Sequence, residues 1–116
     1  MIMLSNAVYP VWDASNGAGW SPAIAGGLLR DELGFTGVTI TDSLDGAALS
    51  RHVSERSLAL RAAQAGTDFL LLTGPERTTA GSYALLLAAA RDGRLSMDSL
   101  LASYERIVEL KVSFGR

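Results

Sequence analysis

Asp42 is the residue best placed for chemistry. It follows the run Gly34-Phe35-Thr36-Gly37-Val38-Thr39-Ile40-Thr41, in which a short, β-branched, apolar stretch comes after two glycines. That stretch is too short for a helix and reads as a buried strand, which the chain enters through a sharp turn. Asp42 therefore falls at a strand's carboxyl end, where α/β barrel enzymes keep their reacting groups. A carboxylate there can attack an electrophile or cap the following turn. Asp45, three residues on, is a loop carboxylate or a helix cap. The sole histidine, His52, lies in the exposed-looking segment Ser50-Arg51-His52 and reads as a surface residue near a helix start.

Several chemistries are excluded by what is missing. There are no cysteines, which removes disulfides, thiolate metal sites and thiol nucleophiles together. The glycines form no phosphate loop, because no Gly-Lys-Ser/Thr follows them and no G-x-G-x-x-G joins a strand to a helix. Lys plus Arg number 10 against 12 Asp plus Glu, a net charge of -2. This leaves no basic footprint for nucleic acid and no polybasic membrane patch. The opening Met1-Ile2-Met3-Leu4 lacks the basic flank of a signal peptide, and no stretch reaches the ~18 apolar residues of a membrane span. The expectation is a soluble chain, with no metal or cofactor site and with its compartment undecided.

The elements that must hold Asp42 alternate. Residues 2–5 read as a first strand, and 7–20 as a long loop rich in turn formers. Ser21-Pro22 opens a helix as cap and first residue, with Ile24, Leu28 and Leu29 on its apolar face and Gly34 as its stop. The strand ending at Asp42 follows. After a further loop, Ser54 caps a helix through Ala65, with Gly66 beyond it. Residues 67–73 read as a third strand, whose continuous Phe69-Leu70-Leu71-Leu72 is the mark of burial on both faces. Residues 78–91 form an Ala-rich core helix, Asp92-Gly93 turns the chain, and a last helix capped by Ser96 carries Leu100, Leu101, Tyr104, Ile107, Val108 and Lys111. Strands separated by helices imply a parallel sheet with right-handed crossovers. Three such strands leave both sheet edges open, and no second domain is visible.

The succession Ile2-Met3-Leu4-Ser5-Asn6-Ala7-Val8-Tyr9-Pro10, followed by Leu28-Leu29-Arg30-Asp31-Glu32-Leu33-Gly34-Phe35-Thr36-Gly37-Val38-Thr39-Ile40-Thr41-Asp42-Ser43-Leu44, resembles family 3 glycoside hydrolases, in their β-N-acetylhexosaminidase branch. Ala65-Gly66-Thr67-Asp68 before Leu70-Leu71-Leu72 is similar to the family's eighth strand. Ser103-Tyr104-Glu105-Arg106-Ile107-Val108-Glu109-Leu110-Lys111 is similar to its terminal helix. The resemblance spans essentially the whole chain and implies the C-terminal third of a (β/α)8 barrel, strands six to eight, over residues 1–116. At 116 residues the chain falls well short of the roughly 250 that such a barrel takes.

By resemblance, Asp42 is the nucleophile of a retaining glycosidase that removes terminal N-acetylglucosamine from peptidoglycan-type substrates. The branch's His-Asp acid/base pair sits in a Lys-His-Phe-x-Gly-His-Gly-like stretch that this sequence lacks, so the expected partners are a carbohydrate and a second chain completing the barrel. The alternative is a catalytically silent remnant or an association module. Two positions depart from the family. Asn6 stands where a histidine is common, and Ser43 replaces a second aspartate. Asn6 either offers its amide to a sugar hydroxyl or is an ordinary strand-end residue. Trp12 and Trp20 flank the first loop, to stack on a sugar or to pack the loop tip.

Overall fold

The computed structural model describes residues 1–115 and is built on a parallel pair, β1 (Ile2–Leu4) beside β4 (Thr39–Thr41), in the register Ile2↔Thr39, Met3↔Ile40, Leu4↔Thr41. The ladder runs one residue further at each end, through Ile2 N–H to Val38 O at 2.9 Å and Asp42 N–H to Leu4 O at 2.9 Å. The third strand read over 67–73 shrinks to a single parallel bridge, Ile40↔Phe69. Phe69 N–H reaches Thr39 O and Thr41 N–H reaches Phe69 O, but Leu71 N–H then turns to the Thr41 hydroxyl at 2.9 Å instead of the next carbonyl. A side chain has taken the place of a ladder acceptor, as β-branched hydroxyl residues can.

Between β1 and β4 the chain departs from the expected open loop. β2 (Val8–Tyr9) pairs antiparallel with β3 (Asp13–Gly17) across an irregular register. A 3-10 turn, Ala18–Trp20, then leads into a helix over Pro22–Glu32 wound wider than an α-helix, with Leu33 N–H donating to Leu28 O five residues back. Ser21 Oγ accepts from Ile24 N–H at 3.2 Å, the cap expected from sequence, and itself donates to Asp13 at 2.7 Å. Gly34 stops the helix at φ +67°, a conformation that costs glycine little.

The segment after Asp42 is also helical where a loop was expected. α1 spans Leu44–Arg51, α2 Glu55–Gln64, α3 Glu76–Arg91 and α4 Met97–Phe114. α1 forms despite Gly46 because Leu44, Ala47 and Ala48 bury against Leu58, Ala59 and Ala62 of α2, with Trp20 in the same cluster. Each fully buried leucine there is worth about 1.5–3 kcal/mol of transfer free energy. Leu70 and Leu72 pack on this cluster, and a second, smaller one joins Leu4, Ala25 and Ala65. The result is a small α/β domain with a parallel sheet and helices. α4 buries no residue fully and leaves Leu101, Tyr104, Val108 and Val112 exposed. No helix among the described residues is long and apolar enough to cross a membrane.

Beneath the amino ends of the strands, Asp68 fastens three other segments to its own. Its fully buried carboxylate accepts from Arg30 Nη2 at 3.0 Å, Arg106 Nη2 at 2.6 Å, and the Thr39 N–H at 2.8 Å and hydroxyl at 3.1 Å. Burial pushes this carboxyl up, but Arg106 and the Thr39 N–H outweigh it and hold it below the usual aspartate range. Arg30 also donates to Phe35 O and Gly37 O, pinning the turn that feeds β4.

Candidate active site at the carboxyl end of the sheet

Asp42 is the first residue past β4, and its backbone is held by the N–H to Leu4 O bond that prolongs the ladder. Its side chain is exposed, with Oδ1 accepting from Ser43 N–H at 2.7 Å. A rigid strand thus presents one carboxylate, oriented by a single amide, with its other oxygen free of protein donors among the described residues. Ser43 precedes α1, and its hydroxyl lies 2.9 Å from that of Thr73, at the end of the third extended segment.

Asn6 comes to the same place from β1. Its Nδ2 donates to Ser43 O at 2.8 Å, so the amide braces the Asp42-Ser43 turn. Its Oδ1 is buried without a hydrogen-bond partner among the described residues. Sequence reasoning missed Arg51, whose guanidinium lies 5.1 Å from the Trp20 ring centroid and donates through Nη2 to Asn6 O at 3.2 Å. It missed equally that Asp45 and Glu55, ten residues apart on α1 and α2, face one another over Gly74. No sequence signal announces the pair, because the two residues sit on separate helices and meet only through the packing of α1 on α2.

Asp45 sits in the first turn of α1, where its Oδ2 accepts from the Thr73 N–H and, at 3.1 Å, from the Thr73 hydroxyl. The facing Glu55 carboxyl and the donors from Thr73 hold its carboxyl below the ordinary range, against the opposing effect of burial. Burial, followed by Asp45, raises Glu55 above its ordinary value. His52 is exposed at the left-handed end of α1, at φ 54°. Trp20, only 2% exposed, is a core residue, which rules out sugar stacking for it. Trp12 is half exposed, edge-on to Tyr9 with ring centroids 6.3 Å apart. Among the described residues no group of three or more His, Cys, Asp or Glu side chains converges to hold a metal.

The profile of the glycosyl hydrolase family 3 N terminal domain matches residues 1–110. An uncharacterized secreted glycosyl hydrolase of Arthroderma benhamiae is 37% identical over 112 residues, which cover 96% of this chain and 32% of that protein. Beta-hexosaminidase A of Pseudoalteromonas piscicida is 35% identical over 128 residues, 96% of this chain and 21% of that one. A solved glycoside hydrolase family 3 beta-N-acetylglucosaminidase from a Paenibacillus species superposes with a TM-score of 0.85 at 31% identity, over 94% of this chain and 21% of its own. The chain spans between 15% and 32% of the length of the curated relatives it matches.

Proposed function

The chain belongs to glycosyl hydrolase family 3, and we propose that Asp42 is its catalytic nucleophile, in a retaining β-N-acetylhexosaminidase that removes terminal N-acetylglucosamine from peptidoglycan-type substrates. Residues 1–116 are, on this reading, the closing portion of a (β/α)8 barrel, with β1, β4 and the segment around Phe69 as strands six to eight. The observation that carries it is the placement of Asp42: an exposed carboxylate on the carboxyl end of a parallel strand, anchored through Leu4 O and Ser43 N–H. Relatives named beta-hexosaminidase supply the sugar class.

In the reaction, an Asp42 oxygen bonds to the anomeric carbon as the glycosidic C–O bond breaks, and a general acid protonates the departing oxygen. Water then attacks the same carbon, gives its proton to the conjugate base and releases Asp42, so that two inversions leave the configuration retained. Asn6, through Ser43 O, fixes the turn that orients the nucleophile. The acid/base group lies outside these residues, since no stretch like Lys-His-Phe-x-Gly-His-Gly is in the sequence.

The test is turnover of a chromogenic N-acetylglucosaminide by the purified chain, alone and with a segment supplying the upstream strands, with Asp42→Ala as control. Activity on mixing that Asp42→Ala abolishes is expected; activity that survives the substitution sinks the nucleophile reading. A second reading, an association module without turnover, is favoured by the exposed Ile2 and Met3 on β1, by Met1 just before it, and by the open apolar face of α4. It predicts stoichiometric binding of the upstream segment with no hydrolysis.

A further inference from the structure

Asp45 and Glu55 turn toward the same point above Gly74, where the third extended segment ends. A Cβ on Gly74 would collide with Asp45 Oδ1 and lie 3.3 Å from Glu55 Oε2, so the two oxygens converge over backbone that carries no side chain. Glu55 is 7% exposed. Its Oε1 accepts from Ser82 Oγ at 2.7 Å, whereas Oε2 is buried with no donor among the described residues. Asp45 Oδ2 is already taken by Thr73. Two ionised carboxylates facing each other in a buried setting repel and lose hydration together, and one proton between them relieves both.

We propose that Asp45 and Glu55 share one proton, carried on Glu55 Oε2 and donated to Asp45 Oδ1, and that the pair positions the strand end bearing Asp42. The connection is continuous. Ser82 donates to Glu55, the proposed proton joins Glu55 to Asp45, and Thr73 donates to Asp45; the Thr73 and Ser43 hydroxyls are bonded, and Ser43 N–H donates to Asp42 Oδ1. The catalytic consequence rests on Asp42 being the nucleophile; the shared proton does not. The charged groups facing Glu55 among the described residues are Asp45 on α1 and Arg56 on its own helix, whose guanidinium lies against Gly81 of α3 and favours the ionised form. α3 contributes the uncharged Ser82. With no third acidic or imidazole group converging, a proton suits the pair better than a metal ion.

Because Glu55 is raised, its share of the interaction is complete below its ordinary value of 4.5 and lost as pH rises through the raised one. Because Asp45 is lowered, its share is present above 3.8 and lost as pH falls through the lowered one. The pair is intact between those two limits. Carboxyl carbon NMR of the full chain tests this, with the Ser43 amide followed in the same titration. The expected result is a Glu55 carbon titrating above the ordinary glutamate range, a Ser43 amide moving at the same pH, and loss of that amide step in Glu55→Gln, which keeps a donor in place. Glu55→Gln should also hold the unfolding midpoint that Glu55→Ala lowers. A Glu55 carbon titrating in the ordinary range, or Glu55→Gln as destabilising as Glu55→Ala, overturns the proposal. So does a midpoint raised by Mg2+ or Ca2+ in the wild type alone, which would make the bridge a cation. Turnover of Asp42→Ala tests the nucleophile separately, because that variant retains the Glu55 titration.

Discussion

Asp68 and Asp42 flank the same two short strands, one at the amino end and one at the carboxyl end, and are held in opposite ways. Asp68 is fully buried, with two guanidinium groups, a backbone amide and a hydroxyl filling its oxygens. Asp42 is exposed and accepts one short backbone bond. A carboxylate whose acceptors are all occupied in a buried site can stabilise a fold but has nothing left to offer a ligand. A carboxylate fixed by its backbone and open at one oxygen contributes little to the fold and keeps its reactivity. Arg30, Gly37 and Arg106, all within the segments that resemble the family, serve the amino end. Much of the signature around Asp42 is thus structural, holding β4 in register so that this carboxylate emerges at the strand's end.

Substitutions at the two ends sharpen this contrast. Asp42→Ala in the complemented enzyme should lower turnover by at least about 10³-fold while shifting unfolding free energy by no more than about 0.5 kcal/mol. Paired kinetics and urea melts measure both, and a large stability loss would erase the distinction between the ends. Asp68→Ala should destabilise by about 3 kcal/mol, the low end for a broken buried pair, because it leaves the half-buried Arg30 and Arg106 beside each other without their counter-ion; a urea midpoint near that of the wild type would show the network to be dispensable.

The lowered carboxyl of Asp68 gives the amino end its own pH signature. Its stabilisation is present above the unfolded value near 3.8 and disappears as pH falls through the lower folded value. Asp68→Asn should accordingly flatten the acid limb of stability against pH, read from urea midpoints between pH 2 and pH 6. The smallest effect belongs to neither end. Ser21→Ala removes the cap on the helix after the hairpin, at a cost of about 1 kcal/mol, and also removes one of the donors that hold the Asp13 carboxyl at about 2. A thermal melt with no shift would mean that the wide helix is held by packing alone.

The local signals were legible because they depend on few neighbours. Ser21, Ser54 and Ser96 cap the helices expected of them, and positive φ falls on Gly34 and Gly66 at the expected stops and on Gly93 in the expected turn. The features that escaped depend on partners far away in the chain. β3 is made largely of turn-forming residues and is a strand only through its pairing with Val8 and Tyr9 of β2 across the hairpin. α1 is small-residue-rich and exists by packing on α2. The continuous apolar run at 69–72 promised a full strand, yet the Thr41 hydroxyl took the amide of Leu71 and left one bridge.

The sequence by itself determined the family, the position of Asp42 at the end of a strand, and the absence of thiol and phosphate-loop chemistry, because these follow from residue identity and short-range spacing. Tertiary structure decided which polar groups meet. Asn6 reaches Ser43 over 37 residues, Asp68 gathers arginines from two different helices, and Asp45 and Glu55 face each other only because α1 and α2 pack as a pair. Such encounters rest on the packing of whole faces, which apolar periodicity specifies only in outline.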